Sequence, residues 1–321
     1  RQTFAQDKNG LPSHFRRNQD GAGKGGRKGQ DLMRFGIVAN RKRSGATKVI
    51  RRLLAWTQQN GHDYRVCEEL RDFVGLPEMI SKREDLAKYC DYIISMGGDG
   101  TLLAAARAIG ASGIPVLGIN LGSLGFLTQV AAEEMECSLQ ALVNGEHHIE
   151  PRMLLTVAVD NREDAKEGVA LNDVVVDRGN VTRLIQLDLS VNEEFICTYR
   201  ADGLIISTPT GSTAYNAAVG GPIVNPRMNA IIASPIAPQS LAARSLLFDG
   251  DDKIKIKIAS GHHSALMTLD GQVSIPLKNG EEVVIKRAAY TTNLITFPQH
   301  SFYAILRNKL HWAVLPVTQN E

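Results

Sequence analysis

The sequence predicts an α/β protein whose N-terminal part is an open α/β sheet domain and whose C-terminal part is antiparallel β. Three observations carry this prediction. Between Arg34 and Leu142 short apolar runs alternate with stretches of helical period; near Pro151 that alternation stops; and from there short strands follow one another, separated by turn residues. An alternation of strands and helices argues a mostly parallel sheet, and in such sheets ligands bind beyond the carboxyl ends of the strands.

Taken in order, Phe35 to Asn40 is a buried-type strand, and Val49, Leu53 and Trp56 fall at helical spacing just after it. Tyr64 to Cys67 suits a second strand, and Leu86 to Tyr89 closes a helical piece. Tyr92 to Met96 is a strand that delivers Gly97-Gly98-Asp99-Gly100-Thr101, and Leu102 to Arg107 is helix-prone. Ile114 to Asn120 is another strand, and Met135, Leu139 and Leu142 mark one helix face. In the C-terminal part Thr156–Val159, Val174–Val176, Leu187–Val191, Ile196–Tyr199 and Leu204–Ile206 read as strands, while Ile254–Ile258 alternates strictly. Asp270-Gly271 is a hairpin turn signal before Val273–Ile275, and Phe302 to Trp312 is helix-compatible through Phe302, Leu306 and Leu310. This gives an α/β domain at 33–150, completed by a returning segment at 298–316, and a β-rich domain at 151–297.

Length and charge bound the function. The chain of 321 residues suits about two domains. No apolar run reaches the roughly 18 residues of a membrane span, and the basic N-terminus lacks the apolar core of a secretory signal, so a cytoplasmic location without membrane contact is expected. Residues 1–32 hold seven Lys/Arg against three Asp, while the whole chain carries only +2. The body is therefore mildly acidic and nothing in it suggests a nucleic-acid partner. The basic segment has the composition of a disordered tail, with Met33 the expected true start and the residues before it an extension. Its Gly21, Gly23 and Gly26 match a dinucleotide fingerprint in letters only, since neither strand nor helix flanks them. Cys67, Cys90, Cys137 and Cys197 are scattered and read as reduced. His147-His148 and His262-His263 have no third ligand at useful spacing, and Lys255 and Lys257 read as the solvated face of a strand.

Chemistry concentrates in two stretches. Glycines between a strand and a helix bring a ligand close to unpaired N–H groups that favour phosphate oxygens. Asp99 among them would repel a phosphate, so it is expected to face a metal ion or a hydroxyl about to lose its proton; the plain alternative is a tight turn with an exposed capping acid. The second stretch runs from Arg200 through Asp202-Gly203-Leu204-Ile205-Ile206-Ser207-Thr208-Pro209-Thr210-Gly211-Ser212-Thr213-Ala214-Tyr215, a buried strand leading into hydroxyl and small residues. Such a surface offers donors to a sugar or phosphate; the alternative is an ordinary polar turn.

Together with Gly118-Ile119-Asn120-Leu121-Gly122-Ser123-Leu124-Gly125-Phe126-Leu127 and Asn172-Asp173, these stretches resemble, in order and spacing, the bacterial NAD kinase family, ATP- or polyphosphate-dependent enzymes of the diacylglycerol kinase-like superfamily. The resemblance covers about Phe35 to Trp312. It implies phosphorylation of the 2′-hydroxyl of the adenosine ribose of NAD by ATP with a divalent metal such as Mg, a β-sandwich-like second domain, and a homo-oligomer, dimer or tetramer. Carried onto this chain, it makes Asp99 the proton acceptor, and Gly97, Gly98, Gly100 and Thr101 the phosphate-donor site. Asn172 and Asp173 would hold the nicotinamide-side ribose or the adenine. Asp99, Gly100, Asp202, Thr213, Ala214, Tyr215, Asn216, Ala217 and Ala218 would also contact NAD, with Arg183, Arg200, Ala237 and Gln272 at matching positions. The resemblance indicates no metal ligand.

The chain departs from the family pattern at four places. Asp173 is one methylene shorter than the usual glutamate, Ala218 replaces a common serine, Gln239 stands for histidine, and Arg244-Ser245 replaces Arg-Pro. Altered affinity or nicotinamide-state preference is the expected result, with activity retained. The rival readings are a lipid kinase, which shares Gly97 to Thr101, a dinucleotide sensor without catalysis, and a nucleic-acid role for the tail.

Overall fold

The structure, a computed structural model, describes residues 32–160, 162, 167–180, 182–259 and 265–310. The basic tail, His262-His263 and Trp312 lie outside the described residues. By its contacts the chain divides into two compact units, residues 1–150 with 293–321, and residues 151–292.

The first unit begins with β1 (Arg34–Ala39) and α1 (Ala46–Gln59), then β2 (Asp63–Cys67), the two-residue β3 (Ile80–Ser81) and β4 (Tyr92–Gly97). α2 (Asp99–Ile109), β5 (Val116–Asn120), β6 (Val130–Ala131) and α3 (Met135–Val143) complete its N-terminal run. The sheet order β5-β4-β1-β2-β3 is parallel throughout. Phe35, Ile37, Ile93, Ile94 and Ile119 are fully buried, which is why these strands read as continuous apolar runs. α3 buries Met135, Leu139 and Leu142 as the spacing predicts. A bidentate ion pair from Arg52 to Glu136 ties it to α1.

Two local expectations are corrected. On α1 the core face takes Ile50, Leu54 and Thr57 in addition to Val49 and Leu53, whereas Trp56 is only half-buried. Thr57 tolerates burial because its hydroxyl donates to Leu53 O at 2.8 Å, one turn back. The piece at Leu86–Tyr89 is part of a 3-10 turn, Arg83–Lys88, which buries Leu86 alone. With one buried apolar anchor and four charged residues there is no stripe to hold a regular α-helix.

The second unit contains β7 (His148–Val159, from Pro151 onward), β8 (Gly168–Ala170), β9 (Asp173–Asp177), β10 (Ile185–Val191) and β11 (Glu194–Ala201). β12 (Gly203–Ser207), the single-turn α4 (Tyr215–Ala218), β13 (Ala230–Ile236) and β14 (Leu246–Asp249) follow. β15 (Ile254–Ile258), β16 (Ala265–Leu269), β17 (Val273–Leu277) and the long β18 (Glu282–Thr296) end the run. One antiparallel sheet has the order β14-β13-β12-β9-β16-β17; in the other, β11, β10, β15 and β18 are neighbours. Both contribute to a single core, Val174, Val176, Leu204, Ile206 and Ile231 from the first, Leu187, Leu189, Ile254, Ile256 and Val283 from the second. The unit is thus two sheets face to face.

The alternating Lys255 and Lys257 do stand on the outer face of β15, yet they are paired: Lys255 with Glu193 at 2.8 Å and Lys257 with Glu282 at 3.3 Å. The first unit resumes at Asn293, within β18, and continues to α5 (Phe302–Leu310), whose buried residues are Ile305 and Leu306, while Leu310 is exposed, contrary to the expected face. Lys309 Nζ of α5 sits 4.8 Å above the ring centroid of Phe126.

Gly118, in the middle of β5, is needed for close approach. A Cβ there would stand 2.9 Å from Thr128 Cα, 3.0 Å from Leu127 O and 2.8 Å from Leu102 Cδ1. The expected result for Gly118→Ala is a loss of about 1–3 kcal/mol in urea unfolding, since two of the three neighbours are backbone and cannot step aside.

Candidate active site

In the first unit the site is built on the end of β4. Gly98 is extended (φ −122°, ψ −174°) and caps α2, so that Asp99 occupies the first helical position, where the helix dipole favours a negative charge. Gly98 O accepts from Thr101 N at 2.9 Å. Gly97 is buried and has no room for a Cβ, which would overlap the Thr101 side chain, whereas Gly98 is half-buried and Gly100 exposed. Gly97, Gly98, Gly100 and Thr101, the residues expected at the donor phosphates, therefore form one compact turn.

The Asp99 carboxylate is half-buried and binds its own chain. Oδ1 accepts from Leu127 N (3.1 Å), Thr128 N (2.9 Å) and Thr128 Oγ1 (2.9 Å), and Oδ2 accepts from Phe126 N (2.8 Å). Asn120, at the end of β5, extends the chain: its Nδ2 donates to Thr128 Oγ1 at 2.8 Å and its Oδ1 accepts from Gly122 N at 2.6 Å. The acid that looked out of place among glycines thus pins the second glycine-rich turn to the first. Gly125 makes this possible, since a Cβ there would strike the Asp99 carboxylate. Each carboxylate oxygen offers about two acceptor positions, so Oδ2, with one donor among the described residues, retains one.

Arg43, which no sequence pattern marked, belongs to the same place. Its Nη2 lies 3.6 Å from where a Cβ of Gly98 would stand, and its Nη1 lies 3.7 Å from the corresponding point of Gly122. One exposed guanidinium therefore flanks both glycine turns.

In the second unit the corner Leu171–Asp173 is held from two sides. Thr208 N donates to Asn172 O (2.9 Å), Thr208 Oγ1 to Leu171 O (2.6 Å), and a Cβ on Gly211 would collide with the Asn172 backbone. From the other side, Asp270 Oδ2 accepts from Leu171 N (3.1 Å) and its Oδ1 from Asn172 N (2.7 Å) and Asp173 N (3.3 Å). Asp270 and Gly271 both have positive φ, 50° and 64°, as the turn signal demands. Asn172, Asp173, Asp177, Ala214, Tyr215 and Asp270 line a cavity of about 290 Å³. Asp173 is 4% exposed, and burial first, then the charge of Asp270, pushes its carboxyl up to about 7.

Other expected residues lie outside this cavity. Asp202 is ion-paired to Arg178 at 2.6 Å. Arg183 and Arg200 are exposed, Arg200 on β11 opposite Gln186, and Gln272 is exposed in the turn after β16. Ala237, exposed after β13, has φ +43°, a left-handed conformation that costs a residue with a Cβ about 1–2 kcal/mol. Hydrogen bonds on both sides hold it there, Asp202 N to Ile236 O (3.0 Å) and Gln239 N to Arg200 O (2.8 Å).

The hydroxyl-rich surface expected after β12 is corrected. Ser207, Thr208, Thr210 and Ser212 are buried, and Ser207, Thr208 and Ser212 spend their hydroxyls on backbone carbonyls. Thr213 Oγ1 turns back to Thr210 O at 3.4 Å. Asn216 is likewise buried, with its amide on Ser212 O and Pro222 O (both 3.0 Å) and its Oδ1 accepting from Ser234. What the segment leaves at least partly accessible is Thr213, Ala214, Tyr215, Ala217 and Ala218. Among the described residues no group of three or more His, Cys, Asp or Glu is placed to hold a metal ion.

Comparison with known proteins places this geometry. The ATP-NAD kinase N-terminal domain family matches residues 35–147 and the ATP-NAD kinase C-terminal domain family residues 171–297. The NAD kinase of Solibacter usitatus is 38% identical over 278 residues, 86% of this chain and 96% of that protein. That of Saccharophagus degradans is 40% identical over 281 residues, 87% and 96% respectively. Among solved structures, yeast NADH kinase complexed with NADH superposes with TM-score 0.81 at 25% identity, covering 90% of each chain. An NAD kinase from Archaeoglobus fulgidus in complex with ATP gives TM-score 0.67 at 25% identity, covering 87% of this chain and 98% of that one. The fold is that of these kinases. This chain belongs to the NAD kinase family.

The buried Asp173 has a stability consequence. Protonated in both folded and unfolded chains below about pH 4, it costs nothing there. Between pH 4 and 7 the unfolded chain ionises first, so the folded state loses stability as pH rises, by on the order of 4 kcal/mol at completion. Asp173→Asn is expected to unfold at a higher denaturant concentration than wild type at pH 8 and at the same one at pH 4. Equal midpoint differences at both pH values would refute the assignment.

Proposed function

We propose that the chain phosphorylates the 2′-hydroxyl of the adenosine ribose of NAD with ATP, giving NADP. The observation that carries the reading is Asp99, fixed at the start of α2 with an acceptor position left on Oδ2. Attack of the hydroxyl oxygen on the γ-phosphorus forms the new P–O bond as the bond to ADP breaks, and Asp99 receives the proton before passing it to solvent. Because the transition state is loose, position and charge supply most of the rate, and the base accepts a proton late.

In this reading Gly97, Gly98, Gly100 and Thr101 with Arg43 hold the donor phosphates, and Asn172, Asp173, Ala214 and Tyr215 form the core of the NAD site. Asp202, Thr213, Ala217, Ala218, Arg183, Arg200, Ala237 and Gln272 are its periphery, and Asn216 serves by shaping the segment. The α/β domain is 33–150 with 298–316, and the NAD-binding domain is 151–297. The family likeness supports a homo-oligomer, dimer or tetramer, working in the cytoplasm; no helix among the described residues is long and apolar enough to cross a membrane. The described residues build no cage for a divalent cation, so the ion the family likeness implies would be held mainly by nucleotide phosphates, where it would supply charge neutralisation.

Asp99→Asn is expected to retain NAD binding by calorimetry and to lose about 10²–10⁴-fold in kcat in a coupled assay of NADP formation. Wild-type kcat in that variant would remove Asp99 from the role. Labelled ATP offered with NAD or with diacylglycerol separates this reading from a lipid kinase. Arg43→Ala is expected to raise KM for ATP about tenfold with KM for NAD unchanged, as loss of a charge-assisted phosphate contact requires.

A further inference from the structure

Asp270 is a turn residue in sequence and a structural centre in space. Its backbone N donates to Asp173 O at 3.0 Å while its carboxylate accepts from the three successive amides of Leu171, Asn172 and Asp173. The same side chain lines the cavity into which Asn172 and Asp173 open. The described residues lining that cavity include three carboxylates, Asp173 and Asp177 on β9 and Asp270 on the β16–β17 turn, and one phenol, Tyr215 on α4, and no Lys, Arg or His. Asp177 is turned to its own loop, accepting from Gly179 N at 2.7 Å. Asp270 is anchored by three amides, whereas burial sets Asp173 against ionising.

We propose that Asp270 is a positioning residue for the dinucleotide, its carboxylate fixing the Leu171–Asp173 corner and serving as the fixed charge against which Asp173 must ionise. The proposal rests on the reading that Asn172 and Asp173 bind NAD. A ribose hydroxyl or an adenine amino group donates to a carboxylate, so NAD favours ionised Asp173. Affinity therefore rises with pH until Asp173 is ionised in the free protein and is flat above that. Removing the charge at 270 moves the rise to lower pH, while loosening the corner weakens binding at every pH.

The test uses the full chain without ligand, then with NAD. Carboxyl carbon NMR of the free protein reads the Asp173 midpoint directly, with Asp173→Asn identifying the signal. Asp270→Asn is expected to lower that midpoint by about one pH unit. Calorimetric Kd for NAD at pH 6 and pH 8 then separates charge from position: Asp270→Asn should bind weaker than wild type at pH 8 by a larger factor than at pH 6. Asp270→Glu, which keeps the charge on a longer arm, should weaken binding by similar factors at both and leave the midpoint within half a unit of wild type.

An unmoved Asp173 midpoint in a folded Asp270→Asn protein overturns the proposal, as does an equal loss of affinity at pH 6 and pH 8. Should Asp270→Asn fail to fold, the Asp270→Glu protein decides: a midpoint shift with unchanged affinity overturns the proposal. If Asp173→Asn binds NAD as wild type does while the midpoint still follows residue 270, it is the NAD placement on Asp173 that fails, and the charge coupling stands.

Discussion

The grip of one carboxylate on three consecutive amides organises the candidate site of the first unit. Asp99 takes hydrogen bonds from Phe126, Leu127 and Thr128, and so joins the start of α2 to the turn that follows β5. Ionised acceptors make shorter and stronger hydrogen bonds than neutral ones, roughly twofold in strength. Several other features follow from it. Gly125 must lack a side chain, Gly118 must let Thr128 approach, and Asn120 must orient the Thr128 hydroxyl. A residue proposed to receive a proton is thus also a structural clamp, and the two duties are divided between its oxygens: Oδ1 is saturated and Oδ2 keeps room.

The second unit uses the same device. Asp270 grips Leu171, Asn172 and Asp173 as Asp99 grips residues 126–128, one carboxylate from a distant segment meeting three successive amides in each case. Loops of this kind have no ladder to fix them, and their amides need partners once water is excluded. A carboxylate from a distant segment satisfies several amides at once. The cost falls differently in the two places: the helix start favours the charge of Asp99, whereas the charge of Asp270 bears on a buried neighbour of like sign.

Much of this was legible in the residues. The change of period near Pro151, the strand before Gly97 and the Asp270-Gly271 turn appear where the pattern puts them, because apolar alternation and positive-φ residues act locally. The long β18 went unread because Lys286, Arg287 and the Thr291-Thr292 pair interrupt its apolar alternation, and only pairing with distant strands makes it one element. The run from Ser207 to Ser212 misled for a related reason. Composition suggests a polar surface, but tertiary packing buries these side chains, and hydroxyls are among the few polar groups that can bond to nearby carbonyls at little cost. Arg43 and the carboxylate duty of Asp270 had no local signature; both depend on partners dozens of residues away.

Ala237 carries one more implication. Its backbone sits where glycine is at ease, yet the position bears a methyl group, clamped between hydrogen bonds from Asp202 N and Gln239 N. Replacing the methyl by hydrogen would relax the chain, so stability is not what that methyl provides. It is a small exposed methyl held against its own backbone preference by two neighbouring hydrogen bonds, a local strain that persists because the surrounding chain over-determines it.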